Sequence, residues 1–126
     1  MARNLDSGRV VAASVNVATT HIERAIGLLG RSDLRRGEAM WLSPSRGVHT
    51  CGMRFPIDLV GLDIIGRVVD RAVGMQPWRL RLPRPRVVGV LELAAGSLDQ
   101  SDTQLGHCLS FQTVEAPDRE TPTRGE

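Results

Sequence analysis

Apolar and polar residues first settle into a two-residue rhythm at Val11, Ala13, Val15 and Val17, which alternate with Ala12, Ser14 and Asn16. That is the period of a half-buried strand. The rhythm then changes. Thr20-His21-Ile22-Glu23 has the form of a capping box, and Ile22, Ile26 and Leu29 recur at helical spacing before Gly30 stops the run. The spacing predicts a helix of about three turns. Residues 39–42 form a brief apolar strand ended by Ser43 and Pro44. From Gly47 the pattern is β throughout, with a short strand at 48–51 and a clearer one at 57–62. Asp63-Ile64-Ile65-Gly66 suits a turn, and 67–73 returns antiparallel. Prolines break 77–85, 87–93 is the strongest strand, and a last strand runs from Gly106 to about Gln112.

Six or so strands with one short helix predict a mainly β fold, a small β-sandwich or partly closed barrel with one short α-helix. The strands at 57–62 and 87–93 are apolar on both faces, which places them centrally and covered on each side. Residues 1–8 read as a flexible N-terminus, 9–113 as a single β-rich domain, and 114–126, rich in Pro, Thr and charge, as a disordered tail.

Composition narrows the classes. A chain of 126 residues, 41% apolar and 24% charged, supports one core and one domain. No stretch approaches the ~20 apolar residues of a membrane span, so no membrane partner is expected. Two cysteines are too few for a disulfide scaffold. The sixteen basic residues are all Arg and face fourteen acids spread along the chain, for a net charge of +2, which argues against a sequence-independent nucleic-acid binder. Arg3 and Arg9 precede a mild apolar run that superficially resembles an export signal, but Asp6, Ser14 and Asn16 interrupt it. A cytoplasmic protein is expected.

Several motifs in order are similar to a known family: Gly27-Leu28-Leu29-Gly30-Arg31, Gly52-Met53-Arg54-Phe55-Pro56-Ile57-Asp58, Leu62-Asp63 with Gly66-Arg67-Val68-Val69, and Val90-Leu91-Glu92-Leu93-Ala94-Ala95-Gly96. Together with a last strand opened by Gly106, they resemble the domain of unknown function 192 family from about Val10 to Gln112. The resemblance implies a compact β-sandwich-like fold with one short helix, and no settled reaction. Two departures stand out. Many members have Trp-Met-Lys-Asn-Thr where this chain reads His49-Thr50-Cys51-Gly52-Met53, and Gly-Asp where it has Gly106-His107.

Asp58 and Glu92 are the most informative positions, because each interrupts an otherwise apolar strand. Alternation puts Asp58 on a face with Val60 and Leu62, and Glu92 on one with Val88 and Val90. A carboxylate there is costly unless paired, hydrogen-bonded or protonated. The functional reading is a polar pocket holding one or both acids, lined also by Trp41 and the 49–53 segment. The plainer reading is that each acid pairs with an Arg, Arg31 and Arg54 being candidates, or caps a turn.

His49 and Cys51 are two apart and project from one face of a strand, which allows a thiol with its base. Against that, no orienting third group is visible, and free Cys is a common buried residue. His107 and Cys108 invite a zinc site, yet strand neighbours point to opposite faces and no Cys-x-x-Cys spacing exists, so no metal is expected. A Cys51–Cys108 disulfide is geometrically open but unexpected in a reducing compartment. Gly-Leu-Leu-Gly ends a helix rather than opening one, which argues against a phosphate loop, and no cofactor is expected. The stretch Arg79-Leu80-Arg81-Leu82-Pro83-Arg84-Pro85-Arg86 reads as a solvated, proline-stiffened loop or as a contact for nucleic acid or an acidic partner. The reading that follows is a non-catalytic binding module for a small molecule or protein, with a polar pocket around Asp58 and Glu92. The alternative is a small hydrolase or transferase using these carboxylates or Cys51 with His49.

Overall fold

The computed structural model of the chain describes residues 1–18, 36–44, 48–49, 55–82 and 84–112. Among them, ten strands and one short helix follow in order: β1 (Ala2–Asn4), β2 (Val10–Ala12), β3 (Ser14–Ala18), β4 (Glu38–Leu42), β5 (Val48–His49), β6 (Ile57–Leu62), β7 (Val68–Met75), β8 (Leu80–Arg81), β9 (Gly89–Ala94), α1 (Ser97–Gln100) and β10 (Leu109–Phe111). The fold is mainly β, as the alternation predicts. The helix expected over 20–30 and the tail expected over 114–126 lie outside the described residues.

A five-stranded sheet has the order β3-β4-β9-β6-β7, a three-stranded sheet the order β10-β1-β2, and β5 pairs with β8 in a two-stranded ribbon. β9 and β6 are central, and every residue of both is buried. Their continuous apolar runs fit strands covered on both faces. One face packs Val15, Ala39, Val60, Leu62, Leu91 and Leu93 against Ala2, Val11, Ala12 and Leu109 of the small sheet and Leu98 of α1. On the other face, Ile57, Leu59, Val90 and Ala94 gather with Phe55 and Val87. The sheets face each other without closing into a barrel.

The two sheets are tied at both sides. The single strand expected over 11–17 is broken at Ala13, where the N–H groups of Ala13 and Ser14 both donate to Gly37 O, at 2.7 and 3.0 Å. This bend lets one stretch of chain serve both sheets. On the far side Arg67 bridges to Cys108, Val68 N–H donates to His107 O at 2.8 Å, and Leu109 N–H donates to Gly66 O at 2.9 Å.

One expectation is corrected here. Residues 1–8 are not a loose lead-in: β1 is the central strand of the small sheet, with Ala2 and Asn4 opposite Phe111 and Leu109. The stretch is too short and too polar for its alternation to register, since only Ala2 and Asn4 turn inward.

Close packing fixes Gly89 at the start of β9, because a Cβ there would collide with the indole of Trp41. Gly89→Ala is therefore expected to destabilise the fold by about 1–3 kcal/mol, the usual cost of overpacking. Urea denaturation checks this, and an unchanged midpoint would mean that the ring does not sit against Gly89.

Candidate functional site

The register of the large sheet separates the two acids that the sequence places in one pocket. Asp58 on β6 lies opposite Leu93, while Glu92 on β9 lies opposite Leu59. The two residues are thus offset by one position on adjacent strands, and side chains one position apart leave opposite faces. Asp58 points into the core shared with the small sheet, and Glu92 into the other. A single pocket built from both is corrected by this geometry.

Asp58 is 0% exposed, and its carboxylate accepts three backbone N–H bonds. Oδ1 takes Gly74 N–H at 2.8 Å, and Oδ2 takes Gly96 and Leu98 N–H at 3.1 and 3.0 Å. The local sequence makes this necessary. β7 carries a bulge, since Ile57 pairs with Met75 but Leu59 with Ala72, and Gly74 sits in it with φ +62°. Gly96 turns the chain from β9 into α1 with φ +96°, leaving the first N–H groups of the helix without intrahelical acceptors. Asp58 serves both irregularities. Of the two readings of this residue, the structure supports the one in which it caps a turn.

Glu92 has no such support. It is 6% exposed, flanked across the sheet by Met40 and Leu59 and along β9 by Val90 and Ala94. No hydrogen-bond or ion-pair partner reaches its carboxyl group among the described residues. Burial alone pushes its pKa up to about 7. Near neutral pH the group is a half-protonated acid able to donate and to accept a hydrogen bond in apolar surroundings.

The remaining expected site residues divide. Trp41 lies opposite Leu91, on the Asp58 face, and meets Phe111 edge-on with ring centroids 5.0 Å apart, so it packs the core and does not stand beside Glu92. His49 pairs through its backbone with Leu80. Arg31, Cys51 and Arg54 lie outside the described residues. Cys108 is a free, half-buried thiol. Among the described residues no group of three His, Cys, Asp or Glu side chains is placed to hold a metal ion.

Two polar assemblies escaped the sequence reading. Asp70 on β7 is gripped by Arg81, whose Nε lies 3.0 Å from Oδ2 and whose Nη2 also donates to Oδ1, while Arg84 approaches to 3.9 Å. The Arg81 fork holds the Asp70 carboxyl below its usual range, and Asp70 raises Arg81 in turn. One part of the basic stretch is thus a bolt between β8 and β7. Asp70 was visible as an acid among the inward positions of a strand, but its partner stands eleven residues on. The second assembly centres on buried Asn4. Its Nδ2 donates to Thr103 Oγ1 and His107 Nδ1, both at 3.0 Å, while its Oδ1 accepts from the N–H groups of Asp6 and Ser7. Gln104 N–H also donates to His107 Nδ1, at 3.3 Å, so that nitrogen is the acceptor and the ring proton sits on Nε2. This network locks the β1 turn onto the loop before β10; of its members only His107 stands out in the sequence, and its partner Asn4 lies 103 residues away.

The family model described as uncharacterized ACR, domain of unknown function 192, matches residues 2–111, and the chain belongs to that family. It is similar to a UPF0127 protein of Thermococcus gammatolerans, 27% identical over 126 residues, covering 96% of this chain and 81% of that one. Among solved structures it resembles a protein of unknown function from Novosphingobium aromaticivorans, with a TM-score of 0.75, 23% identity, and coverage of 87% of this chain and 82% of the other. A putative transcription regulator from Sinorhizobium meliloti also matches, with a TM-score of 0.68, 19% identity, and coverage of 76% and 79%. At these identities the two structures establish the fold. The match from residue 2 agrees with β1 being part of the domain.

The two acids are expected to respond oppositely to neutralisation. Asp58→Asn turns an amide N–H₂ toward backbone donors and should cost about 2–4 kcal/mol at neutral pH. For Glu92 the folded pKa, about 7, exceeds the unfolded value near 4.5. The unfolded chain therefore releases its proton first, and stability is full below about 4.5 and drains away as pH rises to about 7. Glu92→Gln removes that loss. Its stability relative to the wild type should grow by about 2 kcal/mol between pH 5 and pH 8, measured by urea denaturation at both pH values. A constant difference would mean that Glu92 has a partner.

Proposed function

We propose that this domain is a non-catalytic binding module whose ligand engages Glu92 on the apolar face formed by β4, β9 and β6. The observation that carries this reading is a buried carboxyl group that no partner reaches among the described residues, in a fold that supplies partners for the inward acids Asp58 and Asp70. Natural interiors satisfy nearly all buried polar groups, and an exception is a sign of a missing component. Met40, Leu59, Val90 and Ala94 around it favour a ligand with a hydrocarbon body. The acid favours a hydrogen-bond donor on that body, an amine above all, because a cation beside the carboxylate would offset the desolvation that raises its pKa. The hydrolase or transferase reading has less support, since Asp58 is engaged by three backbone N–H groups and lies on the other face. Among the described residues no helix is long and apolar enough to cross a membrane. We place the module in the cytoplasm on a different ground: Asp6, Ser14 and Asn16 interrupt the N-terminal apolar run.

A thermal-shift screen of small alkyl amines, amides and organic acids tests the reading. An amine at a hundred times its dissociation constant adds about 2.7 kcal/mol and should raise the midpoint by several degrees. Glu92→Gln should abolish that shift while remaining folded. A shift of equal size in Glu92→Gln, or shifts only with acids, would contradict it.

A further inference from the structure

The Trp78–Arg86 segment carries a second surface, independent of Glu92. Trp78 is 67% exposed, and Leu80 and Leu82 are 67% and 63% exposed. Three large apolar side chains at every second residue thus stand in solvent beside a chain that buries its other strands well. Trp78 is held at φ +62° and Arg86 at φ +71°, conformations that bulky side chains rarely adopt. Strain of this kind persists only where the surroundings impose it. Between these two positions Arg81 turns inward to Asp70 and also donates to Arg71 O at 3.3 Å, which holds the strand between the leucines against β7. The leucines are therefore presented on a fixed ribbon. Arg84 and Arg86, both exposed, flank them on the C-terminal side.

We propose that this arm docks the protein on an anionic lipid surface, with Trp78, Leu80 and Leu82 entering the interfacial region and Arg84 and Arg86 meeting the phosphate headgroups. The charge of the arm selects an anionic occupant. Its apolar row selects one that also has a hydrocarbon phase, since indole and leucine side chains beside guanidinium groups suit a headgroup boundary. β8 is only two residues long and offers little backbone edge for pairing with a peptide, whereas a bilayer needs none. This departs from the expectation of no membrane partner, which rested on the absence of a span; surface docking requires none.

Co-sedimentation of the full chain with vesicles of equal parts phosphatidylglycerol and phosphatidylcholine tests the proposal. Binding should occur at low salt, fall at high salt, and be absent with pure phosphatidylcholine. The variant Trp78→Asn, Leu80→Ser, Leu82→Ser alters only exposed side chains and should stay folded by circular dichroism while losing the vesicles. Arg84→Gln with Arg86→Gln should weaken partitioning roughly 30-fold at low salt, about fivefold for each charge. A wild-type chain that stays in the supernatant, or a folded apolar variant that sediments as the wild type does, overturns it. Retention on immobilised polyglutamate without retention on vesicles overturns it as well and assigns the arm to an acidic polypeptide.

Discussion

The carboxylate of Asp58 is the constraint on which the large sheet depends. A regular antiparallel ladder needs no side chain to hold it, but this one is interrupted at the β7 bulge and again where β9 gives way to α1. Each interruption leaves backbone N–H groups inside the protein without a ladder partner, and each such group costs on the order of 1–3 kcal/mol if left bare. One aspartate on the central strand between them answers three of these groups at 2.8–3.1 Å. The left-handed glycines Gly74 and Gly96 are the other half of the arrangement, since they bend the chain so that those N–H groups converge.

Three inward acids of the same sheet show three ways of keeping a carboxyl group from water. Asp58 is surrounded by backbone dipoles. Asp70 is clamped by the two-pronged Arg81 and stays charged. Glu92 has neither among the described residues, and burial raises its pKa to about 7. The contrast carries the functional argument, because a chain that provides so fully for two acids has left the third available. A charged residue buried merely for packing would be replaced by a hydrocarbon at a gain in stability.

The strands were legible to the extent that their burial is one-sided or complete. β6 and β9 announce themselves as continuous apolar runs, and the turn at Asp63–Gly66 by its residue types, Asp63 Oδ1 accepting from the N–H groups of Ile65 and Arg67. β1 was illegible because three residues cannot display a period. Asp58 and Glu92 stood out as acids in apolar surroundings, but their separation depends on the pairing of Leu59 with Glu92, a register that only the assembled sheet defines. Arg81 looked like one more solvated cation for the same reason: its partner is brought to it by the return of the chain from Met75 to Leu80. Composition locates unusual residues, and tertiary pairing decides what each of them does.

The most direct test of the account is a carbon-detected NMR titration of the Glu92 side-chain carboxyl in the folded protein, assigned by comparison with Glu92→Gln. The account predicts a midpoint near 7, set by burial. A midpoint in the ordinary glutamate range, near 4.5, would show that a donor or a cation already meets this group and would remove the basis for a ligand there.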